Sequence, residues 1–155
     1  GLAFLLVGLT YERTHTRYIP HLGGLVNKRP LITTFFVIAG FASLGLPGLS
    51  GFVAELMIFI GTFKMGSLWA ISTIVAVFGV VLAAAYTLWM IQRAYFGEGV
   101  KQDSPVAKIF DQLYDLNKLE LLSVLILTAT IVVVGIYPAI ITDVLNIGVG
   151  EIFTR

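Results

Sequence analysis

One carboxylate stands alone in an apolar stretch. From Pro30 to Phe63, 34 positions, Glu55 is the only charged residue, and it closely follows the run Leu44–Gly45–Leu46–Pro47–Gly48–Leu49–Ser50–Gly51. A carboxyl group can take up and release a proton. Ionisable groups set among apolar neighbours in a membrane helix usually face a bundle interior or a hydrated cavity, and mark ion or proton routes. Glu55 lies nine residues before Lys64, or about 13.5 Å along a helix axis. In a hydrocarbon core about 30 Å thick that depth is close to the midplane. An acidic residue there costs roughly 2.5–3.5 kcal/mol on insertion scales, so its presence asks for a reason.

The preceding run supplies a second ingredient. Pro47 removes a helix hydrogen bond and Gly48 and Gly51 loosen the backbone, so a helix break is expected there. Broken backbone and the Ser50 hydroxyl can hold water or polar partners inside protein, which lipid-facing backbone cannot. A helix restarting near Leu49–Ser50 would turn its positive dipole end toward that cavity. Glu55 is the candidate proton-translocating residue, and Pro47, Gly48, Ser50 and Gly51 are the candidate helix break. A plainer role is also open: an intramembrane Glu can simply hold a partner helix.

Other polar residues offer less. His15 and His21 sit in a basic connection and read as solvated loop histidines, with no metal-ligand spacing to another His or acid. Ser72, Thr73, Tyr86 and Thr87 could line a wet path, but Ser and Thr in spans more often serve helix packing. Trp69, Trp89 and Tyr95 read as interfacial anchors, and Lys64 as a snorkelling one. No Gly-rich phosphate loop and no Ser/His/Asp arrangement is present, so no catalytic site, cofactor site or metal site is expected in this chain.

The elements that must carry Glu55 follow from composition. Hydrophobic residues make up 57% of the 155 positions and charged residues 12%; soluble domains carry about a quarter charged. With no cysteine, disulfides, iron–sulfur clusters and thiolate metal sites are excluded. A formal net charge of +1 gives no footprint for nucleic acid. The pattern predicts one all-α, polytopic membrane domain over residues 1–155: half a span plus three transmembrane helices, at about 1–10, 31–63, 67–92 and 121–141. The first full span is discontinuous, because 34 helical residues would run about 51 Å. The opening GLAFLLVGLT, too short to cross, reads as the end of a span, and the chain as a fragment. Glu98 to Lys118 reads as a solvated loop, part of it helical.

Positive charge sorts the connections. Arg13, Arg17, Lys28 and Arg29 lie in one, and Arg93, Lys101, Lys108 and Lys118 in the next on the same face. The other face has Lys64 and Arg155. By the positive-inside rule the two long connections are cytoplasmic and the C-terminal tail is outside.

The segments LVGLTYERTHTR, FASLGLPGLSGFVAELMIFIG, RAYFG and GIYP, in this order, resemble the antiporter-like proton-pumping subunits of respiratory complex I, the NADH:quinone oxidoreductase, and among these the chain M or subunit 4 group. The resemblance covers essentially the whole chain and corresponds to the C-terminal portion of such a subunit. It implies that the broken span is the discontinuous twelfth helix of the family. Glu55 then matches the terminal acid of a buried line of Lys, His and Glu that carries protons, and passes them toward the outer side. The rest of that line lies on helices this chain does not contain. The resemblance further implies a bacterial inner-membrane location and partners among the other membrane subunits, including neighbouring antiporter-like ones, and the lipid bilayer. Redox cofactors and quinone belong on other subunits. Two related readings share the fold: a multi-subunit Na⁺/H⁺ antiporter subunit, and a photosynthetic-type relative fed by ferredoxin. A structural membrane subunit, with Glu55 only pairing helices, is the reading of a different class.

Overall fold

The computed structural model describes residues 1–97, 99 and 104–144. Glu98, Lys101 and Asp103, and the tail GVGEIFTR with Arg155, lie outside the described residues. Five principal helices follow one another: α1 (Leu2–Thr14), α2 (Pro30–Ser43), α3 (Ser50–Phe63), α4 (Ser67–Tyr95) and α5 (Lys118–Ile136). Short 3₁₀ turns interrupt the two long connections, residues 139–144 are helical again, and the described residues contain no strand.

Local chemistry sets the helix ends. Pro30 opens α2 at the position where its missing N–H costs nothing. At the start of α5 the Asn117 N–H donates to Glu120 Oε2 over 2.8 Å, one arm of a capping box. His15 closes α1 in a left-handed conformation, φ 51°.

The end of α2 is a Schellman motif. Gly45 N–H donates to Ala42 C=O and Leu46 N–H to Phe41 C=O, with Gly45 at φ 65°. The chain then turns again at once. Leu49 N–H donates to Leu46 C=O across Pro47 and Gly48, and Gly48 has φ 94°; Pro then Gly at the centre is the type II pattern. The terminator of α2 is therefore Gly45. Pro47, which carried the break in the sequence argument, lies downstream and shapes the turn instead.

Burial is uneven along the bundle. Leu6, Leu9, Leu25, Ile32, Phe36 and Tyr95 are among the buried residues of one core, which lies at the basic end where α1, α2, the end of α4 and the start of α5 meet. Tyr95, expected as an interfacial anchor, belongs to this core: it packs on Phe36 with ring centroids 4.8 Å apart and shares a 3.2 Å hydrogen bond with Thr10. Trp69 and Trp89 are exposed, and the Arg93 guanidinium lies over the Trp89 ring.

Away from that end, large apolar side chains point outward: Met57 and Ile58 on α3, Phe78 and Leu82 on α4, Leu122 and Ile126 on α5. Both α4 and α5 are long and apolar enough to cross a membrane, and hardly any of either is buried. At 14 residues each, α2 and α3 are about 21 Å long, so neither crosses alone. A hydrogen bond between Thr62 and Thr73, 2.7 Å, ties α3 to α4, so Thr73 serves packing.

Candidate functional site

Glu55 stands on α3, five positions after the helix begins at Ser50. Helical side chains lean toward the N-terminus of their own helix, and this one leans back onto the break. Its carboxylate lies directly against Gly45, where the Cβ of any other residue would collide with Glu55 Oε2. Two properties of Gly45 are thus used together: it adopts the left-handed backbone that ends α2, and it leaves room for the carboxylate. The side chain is half-buried. Among the described residues no cation pairs with it; the ion pairs there are Arg13–Glu120 and Lys28–Asp111.

Of the other break residues, Gly51 comes nearest to Gly45. Gly51, in the first turn of α3, packs on the carbonyl of Ala42, so the two helix ends approach backbone to backbone. Pro47 and Gly48 form the exposed turn between them. Ser50 is the first helical residue; the cap position before it is Leu49, which offers no side-chain acceptor. The first N–H groups of α3 consequently meet no cap from that residue. The arrangement places a carboxylate, an open turn and the end of one helix beside the start of another. A carboxyl held this way can exchange a proton with water or with a group brought by neighbouring protein.

A second polar assembly fills the basic end, and sequence reasoning missed it. Arg13 is buried, 5% exposed. Its NH2 group forms a 2.5 Å ion pair with Glu120 and donates to Asp115 C=O, while Nε donates to Tyr114 C=O and NH1 to Leu9 C=O. The guanidinium also covers the Tyr114 ring at 4.5 Å. The Asp115 carboxylate accepts from the N–H groups of Leu31 and Ile32 at the start of α2, at 2.8 and 3.2 Å. The part of the Glu98–Lys118 stretch from Tyr114 onward is thus no solvated loop: it is pinned to α1 and α2 through these bonds.

Arg29 is wholly buried beside this assembly, and its three guanidinium nitrogens meet no hydrogen-bond partner among the described residues. Burial first, and the nearby Arg13 second, lower its pKa to about 10, with Asp115 pulling it back up. His15 is exposed and His21 half-buried, and no group of three or more His, Cys, Asp or Glu fit to hold a metal occurs among the described residues.

Residues 1–91 match the family described as NADH:quinone oxidoreductase/Mrp antiporter, transmembrane. The chain belongs to this family. With its outward apolar helices, it is an all-α membrane protein. It is 37% identical over 152 residues to NADH-quinone oxidoreductase subunit M of Rhodobacter capsulatus, covering 98% of this chain and 28% of the relative. Against subunit M of Escherichia coli K12 the identity is 38%, covering 96% and 28%. A chain of the structure described as respiratory complex I from Thermus thermophilus with bound NADH superposes with a TM-score of 0.72 at 30% identity, over 87% of this chain and 26% of that one. The chain therefore spans little more than a quarter of the length of these relatives.

Proposed function

We propose that this chain is the C-terminal part of a proton-translocating membrane subunit of an NADH:quinone oxidoreductase. In it α2, the turn and α3 form one discontinuous span, and Glu55 relays protons toward the outer side. The observation that carries this reading is the placement of Glu55: a carboxylate without a cation partner among the described residues, seated on Gly45 where two half-helices meet. Several relatives are named subunit M of NADH-quinone oxidoreductase, which supports complex I over the antiporter that shares the family description. On this reading the partners are the other membrane subunits and the bilayer, and flavin, quinone and iron–sulfur chemistry stay on other subunits. The long basic connections face the cytoplasm and the C-terminal tail faces outward, in a bacterial inner membrane.

The test is redox-driven proton uptake in vesicles carrying the full-length subunit in its assembled complex, with Glu55→Gln and quinone reduction followed in parallel. Pumping should fall while the complex still assembles. Unchanged pumping with an unchanged pH profile would reduce Glu55 to a packing residue.

A further inference from the structure

The GIYP segment, Gly135–Pro138, has no role assigned to it beyond the family resemblance. Gly135 is the penultimate residue of α5. A Cβ there would collide with the carbonyl oxygen of Gly48 and come within 2.5 Å of the Leu49 Cα. Both belong to the turn of the break, and both are main chain, so no side-chain rotation relieves the clash. Gly61 in α3 and Gly79 in α4, also within apolar helices, have nothing within 4 Å of such a Cβ. Small residues let membrane helices approach closely, and here the approach lands on one place. Leu49 is the residue from which α3 starts, and Glu55 stands rigidly six positions further along the chain.

We propose that Gly135 is a positioning residue for Glu55: its missing side chain seats the Leu46–Leu49 turn against α5 and so fixes where α3 begins and where the carboxylate stands. Gly45 and Gly51 close the other side, one beneath the carboxylate and one against Ala42. The start of α3 is thus held by main-chain contacts with α5 and with the end of α2, and the carboxylate is placed through the helix that carries it. This rests on the proton-relay reading of Glu55. A misplacement of about 1 Å at a reacting group can cost on the order of a hundredfold.

The experiment uses the full-length subunit in its assembled complex and compares Gly135→Ala, Gly79→Ala and Glu55→Gln. Gly135→Ala should lower proton uptake per quinone reduced severalfold and displace its pH profile, with quinone reduction in uncoupled vesicles unchanged. Gly79→Ala should behave as the parent. If Glu55→Gln abolishes pumping while Gly135→Ala keeps both the yield and the pH profile, the positioning role is overturned and the relay stands. If Glu55→Gln pumps normally, the relay itself falls, and the role proposed for Gly135 with it. Should Gly135→Ala fail to assemble, the seat is probed in a full-length subunit stripped of any cysteine outside these 155 residues, which hold none. Leu46→Cys and Ile136→Cys, both exposed, should then be joined by a short bis-maleimide, and no cross-link would overturn the proposal.

Discussion

Arg13 and Arg29 enter the same end of the bundle and meet opposite circumstances. Arg13 donates to three carbonyls and to Glu120, whereas Arg29 is buried with no acceptor among the described residues. Breaking a buried pair leaves a charge uncompensated and costs about 3–5 kcal/mol, while an unpartnered buried charge carries a desolvation penalty that an apolar side chain of similar size removes. The Glu120 side chain is 22% exposed, so Arg13→Met should lie near the lower end, about 3 kcal/mol. Arg29→Met should leave stability unchanged or raise it, since Asp115 keeps its bonds to Leu31, Ile32 and Leu116. The readout is the thermal midpoint of the solubilised, assembled complex; an Arg29→Met loss as large as that of Arg13→Met would sink the argument. Arg29 keeps its charge at neutral pH, so its burial penalty stays in force and is relieved only above pH about 10. None of this was legible in the sequence. Arg13 and Glu120 are 107 positions apart, and a pairing at that distance leaves no local pattern, so Arg13 could be read only as one positive charge among four.

The break between α2 and α3 was far more legible, because glycine and proline act on their own neighbourhood. Their cluster lies where α2 stops and α3 starts. What sequence could not rank was which residue does the stopping. Gly45 does so through its φ of 65°, a conformation that costs an ordinary L-residue about 1–2 kcal/mol. Asn tolerates that conformation better than most residues, which separates the two uses of the position. Gly45→Ala should weaken helix termination by about 1 kcal/mol and also displace the carboxylate. Gly45→Asn should largely spare termination and still displace it. Both variants should therefore lose proton uptake per quinone reduced, while the thermal midpoint drops chiefly for Gly45→Ala. If Gly45→Asn pumps like the parent, the seat beneath Glu55 has no functional weight. The seat on α5 left no comparable trace, since Gly135 sits in an otherwise ordinary apolar helix and its contact is with a turn 86 positions earlier in the chain.

Across the whole molecule, the buried core and the polar assembly share the basic end, and the exposed apolar surface of α3, α4 and α5 occupies the rest. At 29 residues, α4 would measure about 44 Å, longer than a hydrocarbon core of about 30 Å. At its basic end Arg93 covers Trp89 and Tyr95 is buried against Phe36. This division makes the expected sidedness testable without touching Glu55. Asp111 lies in the second basic connection and is almost fully exposed, and its ion pair with Lys28 is a surface one, worth about 0–1 kcal/mol. Met65, also exposed, lies in the turn between α3 and α4. Each can be replaced singly by Cys in a chain that has none, in a full-length subunit stripped of any other cysteine. A membrane-impermeant maleimide should label Met65→Cys in right-side-out vesicles and Asp111→Cys in inverted ones. Labelling of both from one side would mean that α4, which lies between them, does not cross the bilayer. Because Lys28 ahead of α2 pairs with Asp111, the α2–turn–α3 unit would not cross either. The carboxylate of Glu55 would then lie on no path between two compartments, and its seat at the break would need another purpose.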